Sequence, residues 1–419
     1  MTRVEIISRE NIKPSSPTPQ HLKTFNLSLL DQLIPAPYVP IILYYPNKDS
    51  ANDLEVQERL KSLKNSLSDT LTRFYPLAGT IKDDLSIDCI DIGAYFVVAI
   101  VDACLHDFLT SPDFDLINRF LPCEPSFNGS NEGYNILDGA ALSTFLQGWA
   151  GTSRGSKEVV YPDMTAGSLF PAKDLWLKDS SMVMWSSLFK IGKCSTKRFV
   201  FNSSKLDALK AEAAGNGAKD PTRVEVVSAL LWKGVMVVSE EKSGSWKPSL
   251  LSHVVNLRKR VGSSTSLDKA IGNLIWLANA ECKTESEIGL GNLVGKVHDG
   301  VSTIDGEFVK KLQRNEGTKV MECSLKRLKD CGDYIGFTSW CKMGFYEVDF
   351  GWGKPMWVCG SVCDGSPVFM NFVVLMDTRC SEGIEAWVCI DEHEMHILKH
   401  NSELLAFASL DPSPLEMNQ

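Results

Sequence analysis

The chain has 419 residues, 44 % apolar and 23 % charged, the proportions of an ordinary folded protein with ample core for two domains or one large one. Its net charge of −9 and pI of about 5.4 argue against a surface that tracks nucleic-acid phosphates. The longest apolar run, Tyr95 to Val101, is far too short to cross a bilayer, and Met1 to Pro14 mixes charges with apolar pairs instead of forming a secretory segment. A cytoplasmic protein with neither a membrane nor a nucleic-acid partner is expected.

In chain order, residues 4–20 read as a strand followed by a Pro/Ser linker. Leu27 to Ile34 is an apolar segment, and Val39 to Tyr45 a buried strand. Val56, Leu60, Leu63, Leu67, Leu71 and Phe74 recur at steps of three and four behind Asn52-Asp53, which predicts a capped amphipathic helix ended by Pro76 and Gly79. Strands are expected near 85–91 and 94–101, then a short helix with loops to Phe120. A Gly-rich polar loop, Ser126 to Gly133, precedes a helix over 136–150 with Asp138 in its first turn, where a carboxylate suits the helix dipole.

Residues 151–195 lack periodicity and read as a connection. Beyond it come a strand at 197–201, a helix over 224–238 with one apolar face, and strands at 252–257 and 271–278. A polar helical stretch over 281–323 is interrupted at Gly291, Gly300 and Gly317. Core strands are expected at 337–342, 357–360, 369–376 and 384–390, and Asp391 with Glu394 forms a capping-box pattern for a final helix to Asn401. Strands mix with helices without strict βαβ alternation, which indicates a mixed-sheet α/β protein, and the nucleotide-binding glycine motifs are absent.

The twelve cysteines lack metal spacing and read as buried free thiols of a reducing compartment. His393, His396 and His400 share a helical face interspersed with Glu394 and Lys399, which reads as solvated rather than metal-binding. Asp349-Phe350-Gly351-Trp352-Gly353-Lys354-Pro355 alternates glycines with large aromatics, the composition of a packed turn with Asp349 holding its backbone or an ion pair.

Taken together, Phe74-Tyr75-Pro76-Leu77-Ala78-Gly79, Ile136-Leu137-Asp138-Gly139-Ala140, Thr222-Arg223-Val224-Glu225, Asn256-Leu257-Arg258-Lys259-Arg260 and Asp349 to Gly353 resemble the plant BAHD acyltransferase family, in its vinorine synthase-like branch. The resemblance covers nearly the whole chain. It implies two chloramphenicol acetyltransferase-like domains with mixed β-sheets flanked by helices, at 1–165 and 197–419, joined by a crossover at 166–196. It also implies a monomer without permanent cofactor, taking acyl-CoA, most simply acetyl-CoA, and a small-molecule acceptor. In such enzymes the histidine of a His-x-x-x-Asp motif removes the acceptor's proton while the aspartate is structural, pairing with an arginine.

Here that aspartate is Asp138, and four residues earlier stands Tyr134 instead of histidine. A phenol of pKa about 10 is only about one part in a thousand ionised at pH 7. Tyr134 is therefore either a poor base or a loop residue with no catalytic part. About two strands (a typical strand being about 5–6 residues) are expected to be missing between Asn128 and Tyr134, leaving unpaired sheet edges. Arg258 is the candidate partner for Asp138, and with Lys259 and Arg260 a candidate for the CoA phosphates. Thr338 and Ser339 match the family strand that approaches CoA and the oxyanion, though alone they would be ordinary strand hydroxyls.

Overall fold

The computed structural model describes residues 2–33, 40–47, 53–83, 85–121, 136–173, 188–262, 266–314, 332–360, 362 and 368–416, with 316, 319, 320, 323 and 326. Tyr134, the segment 128–134 and residues 174–187 of the crossover fall outside them. The strands in chain order are β1 (Val4–Ile12), β2 (Thr24–Asn26), β3 (Ile41–Tyr44), β4 (Thr80–Asp83), β5 (Ser86–Asp88), β6 (Ala94–Val101), β7 (Lys190–Ile191), β8 (Cys194–Phe201), β9 (Ser249–Asn256), β10 (Ile275–Cys282), β11 (Asp333–Ser339), β12 (Trp357–Gly360), β13 (Val368–Phe369), β14 (Phe372–Asp377), β15 (Ile384–Asp391) and β16 (Ser409–Leu410).

The second half is built on a seven-stranded mixed sheet of order β10-β9-β11-β14-β15-β8-β16, with β11 parallel to both neighbours and the remaining pairs antiparallel. Helices Ser203–Gly215, Arg223–Ser243 and Leu290–Ser302 cover one face, burying Phe199, Trp232, Phe337, Val373 and Val388 in one core. Every residue from Ile384 to Ile390 is buried, because β15 is central and covered on both faces. Helix Arg223–Ser243 is also buried on more than the single face expected from its pattern: Val226, Val227, Ala229, Leu230, Leu231 and Trp232 are all below 3 % exposed. Thr222 and Glu225 form a full capping box at its start, and Gly244 closes its end.

The expected helical stretch over 281–323 is corrected in two respects. Glu281 and Cys282 end β10, and Gly291 and Gly300 lie inside helix Leu290–Ser302 instead of interrupting it. A β-carbon at Gly291 would sit 2.1 Å from the carbonyl oxygen of Asn216, and one at Gly300 2.6 Å from that of Asn279. These glycines admit close backbone approach, a tertiary demand that the local sequence does not reveal. Likewise the strand expected at 271–278 begins only at Ile275, because residues 270–273 are held by contacts described below.

The first half carries smaller sheets, β1-β6, β2-β5-β4 and β3-β12, around helices Asp53–Arg73 and Gly139–Ser153. The apolar spacing of Asp53–Arg73 works as read at its C-terminal end, where Leu67, Leu71 and Phe74 are buried. Each half lends a segment to the other. Helix Leu29–Leu33 packs with Val255, Leu257, Trp276 and Leu312, while β12 pairs with β3 and seats Trp357 beside Tyr44.

Cys89, Cys282 and Cys359 are buried free thiols as expected, Cys194 and Cys389 are buried too, and Cys104, Cys323 and Cys380 are exposed. His393, His396 and His400 are exposed, and no metal-binding cluster exists among the described residues. No helix among the described residues is long and apolar enough to cross a membrane.

Candidate active site

Asp138 lies one residue before helix Gly139–Ser153 as its N-cap, not in its first turn, and its Oδ1 accepts from the Ala141 N–H at 2.9 Å. Its other oxygen faces Arg258 Nη1 at 2.7 Å, and the two side chains are 3 % and 2 % exposed. The sequence-proposed partners are thus brought together across 120 positions of chain. The capping requirement fixes Asp138 locally, and the guanidinium neutralises a charge that burial would otherwise penalise.

Arg258 has no donor left for a further ligand. Nε and Nη2 donate to the Ala270 carbonyl at 3.3 and 2.9 Å, Nη2 also to Gly272 O at 3.0 Å, and Nη1 to Asn256 Oδ1 at 3.3 Å. This corrects its candidacy for CoA phosphates: a buried guanidinium with every nitrogen engaged cannot meet them. Arg260 is half-buried and donates through Nη1, to Val301 O at 2.9 Å and to Ile304 O just past helix Leu290–Ser302. Of the three basic residues only Lys259 is exposed.

The loop that grips Arg258 is itself pinned by residues that the sequence reading missed. Asp31 accepts from Asn273 N–H at 2.7 Å and Asn273 Nδ2 at 3.0 Å, and from Ser28 N–H and Oγ at 2.8 and 2.6 Å. Burial pushes its carboxyl above the ordinary range, against the pull of those four donors. The Ile136 carbonyl accepts from Gly272 N–H at 3.1 Å, and Asp163 O from Ile271 N–H at 2.9 Å, so 270–273 is clamped by three separate segments of the first half. The Gly272-Asn273 pair, a turn signal within an apolar run, was the available clue.

Thr338 and Ser339 end β11, half-buried, pairing with Val374 and Leu375 of β14. Ser339 Oγ accepts from Cys341 N–H at 3.4 Å. The next residue, Trp340, covers the start of helix Gly139–Ser153: a β-carbon at Gly139 would lie 3.0 Å from its Nε1 and 2.9 Å from Met343 Sδ. Ser143, one turn on, donates to the Met343 carbonyl. The strand carrying the candidate hydroxyls therefore meets the helix capped by Asp138.

Asp349 Oδ1 accepts from both Gly351 N–H at 2.8 Å and Gly353 N–H at 2.9 Å. Burial alone would raise its pKa, but these backbone donors and Arg154 hold it below the ordinary value. Gly351 and Gly353 have φ of 113° and 104°, conformations that side-chain-bearing residues avoid. Phe350 stacks on Trp352 at 5.7 Å and meets Trp149 edge-on at 5.0 Å, while Ser153 Oγ donates to Phe350 O at 2.9 Å. The whole motif is thereby fastened to helix Gly139–Ser153, and the expected packed turn becomes a clamp between the halves.

The sequence pattern of the Transferase family matches residues 2–133 and 127–405. An epi-neemfruitin B 7-O-acetyltransferase of Melia azedarach is 40 % identical, covering 98 % of this chain and 99 % of the relative. A limonoid 7-O-acetyltransferase of Citrus sinensis is 38 % identical over the same shares. The crystal structure of vinorine synthase superposes with a TM-score of 0.80 at 33 % identity, covering 97 % of this chain and 99 % of that one. With the motifs, the two-part fold and the buried Asp138–Arg258 pair all in place, the chain belongs to the BAHD transferase family.

Proposed function

We propose that the chain is an acyl-CoA-dependent O-acyltransferase of plant specialised metabolism, moving an acetyl group from acetyl-CoA to a hydroxyl of a limonoid, an alkaloid or another alcohol. The observation that carries this reading is identity of 38–40 % along almost the entire chain with two O-acetyltransferases. The working unit is taken as two acyltransferase halves, 1–165 and 197–419, joined by 166–196. In the transfer the acceptor oxygen attacks the thioester carbonyl, a tetrahedral oxyanion forms, and the carbon–sulfur bond breaks to release CoA thiol carrying the acceptor's proton. Thr338 and Ser339 supply hydroxyls for CoA and the oxyanion, and Lys259 is the exposed cation for phosphate. Asp138 acts structurally, orienting the helix start and the loop before it.

The proton acceptor is the weak point, since Tyr134 stands four residues before Asp138, where the family resemblance implies a histidine. A second reading is therefore favoured by a specific observation: the chain is a catalytically impaired relative that keeps the fold and binds CoA or acceptor. The alignment with the Melia relative runs over 450 positions against 419 residues here, so at least 31 positions of that relative have no counterpart. The family match is also split in two, its parts overlapping at 127–133, in front of Tyr134.

Purified protein with acetyl-CoA and a panel of limonoid and alkaloid alcohols tests the first reading by release of free CoA thiol. No release above background with any alcohol sinks it. Calorimetric titration with CoA then separates the second reading, where binding persists without turnover, from a chain that has lost the site. Tyr134→His should raise turnover by about 10²–10⁴ if position 134 reaches the acceptor hydroxyl. Transcript sequencing across residues 128–138 decides whether the shortened segment belongs to the expressed protein.

A further inference from the structure

β6, Ala-Tyr-Phe-Val-Val-Ala-Ile-Val, is a run of eight apolar residues with the composition of a strand buried on both faces. In the structure none of the eight is buried. Tyr95 is 57 % and Ile100 61 % exposed, and Ile6 and Ile7 of β1 are 44 % and 53 % exposed on the same ribbon. β6 pairs with β1 along one edge only. Among the described residues nothing pairs with the other edge, so its outward N–H and C=O groups form an open template.

The usual protections of an edge are missing: β6 contains no lysine, no proline and no inward charge. A two-stranded ribbon is also marginal by itself, and three or more strands are normally needed for stability. The charges of the ribbon, Glu5, Arg9 and Glu10, lie on β1, the far strand, where Glu10 pairs with Lys64 at 2.5 Å.

We propose that the free edge of β6 pairs antiparallel with the same edge of a second copy of this chain, making a four-stranded β1-β6-β6′-β1′ sheet about a two-fold axis. A second copy fits because the edge is self-complementary. An axis perpendicular to the ribbon keeps like faces together, so Tyr95, Val97 and Ala99 meet their counterparts on one face and Phe96, Val98 and Ile100 on the other. No charged residue enters the contact. The only acid at the strand's end, Asp102, lies beside the start of the neighbouring strand, and the two copies' carboxylates stand about 27 Å apart, at ~3.4 Å per residue. One strand edge buries less than the ~1,200–2,000 Å² of a tight interface, so a concentration-dependent dimer follows, in place of the monomer that the family resemblance implies.

Sedimentation velocity of the full chain across a concentration series reads the outcome. A monomer–dimer equilibrium that Ile100→Lys and Ala99→Pro each shift to monomer, with unchanged circular dichroism, supports the pairing. Both positions are exposed, so neither substitution disturbs a core. Ile191→Lys, at a residue 92 % exposed in β7, should leave the dimer intact. Val98→Cys should form a disulfide between copies under mild oxidation, because with Asp102 beside Ala94 of the second copy position 98 lies on the axis and faces its own counterpart. A monomer at every concentration, open-ended assembly instead of a dimer, a dimer indifferent to both β6 substitutions, or one dissolved by Ile191→Lys overturns the proposal.

Discussion

Replacing Arg258 by methionine removes the guanidinium and leaves the Asp138 carboxylate, 3 % exposed, held by the Ala141 N–H. Breaking one side of a buried pair costs about 3–5 kcal/mol, a large share of a total stability of roughly 5–15 kcal/mol. The loss should exceed the methylene packing retained by methionine, because three carbonyl contacts to Ala270 and Gly272 disappear as well. Asp138→Asn keeps the capping oxygen but removes the charge, and should cost about 1.5–3 kcal/mol. The double variant should be less destabilised than the sum of the singles by about 1–3 kcal/mol, since removing both partners leaves no orphaned charge. Urea unfolding, followed by tryptophan fluorescence and far-UV circular dichroism, measures all four corners of the cycle. Additivity within about 0.5 kcal/mol would refute the reasoning that these residues act as one buried unit.

Gly291→Ala should destabilise the fold by about 1–3 kcal/mol, opposite in sign to the helix propensity of alanine, because its β-carbon would meet the Asn216 carbonyl; a thermal melt decides the sign. Asp349→Ala should cost roughly 2–4 kcal/mol through loss of its two backbone hydrogen bonds. For Asp349→Asn the sign with pH is fixed: the folded carboxyl titrates below the ordinary 3.8, so the charge contributes stability above that value and loses it as pH falls through the folded pKa. The gap between wild type and Asp349→Asn should therefore close in acid, and a gap that widened there would contradict the assignment. Burial raises the Cys341 and Cys359 thiols to about 12, so iodoacetamide at mildly alkaline pH should label Cys104 and Cys380 and spare those two, as read by peptide mass spectrometry.

Elements with strong local patterns were legible from sequence. The spacing of Leu67, Leu71 and Phe74 placed the long first-half helix, and the apolar face over 224–238 placed the buried one, because periodic faces are encoded within a turn or two. What failed was tertiary. Gly291 and Gly300 read as breaks because nothing nearby in sequence says that another backbone comes within reach of them. The late start of β10 reflects Asp31, some 240 positions away, holding Asn273. The apolar run of β6 was correctly a strand, yet its sequence gives no sign that an edge stays open, since exposure is decided by which neighbours the chain supplies.

The candidate site divides along the same line. Asp138, Arg258, Asp349 and the aromatics of the Phe350 turn are engaged by protein partners: a cap, carbonyls, backbone N–H groups and stacked rings. Their identities are demanded by folding, because each replaces a cost of burial that the architecture imposes whether or not a substrate ever arrives. A general base answers to a different demand, since a proton acceptor titrating near neutral pH adds nothing to packing and is lost without loosening the fold. The two sets can therefore separate, and the proposed reading has the first kept intact with Tyr134 standing at the position expected for the base. On this argument stability measurements and CoA-release assays are independent tests: variants of the Asp138–Arg258 pair should move the first strongly, and substitutions at Tyr134 should move only the second.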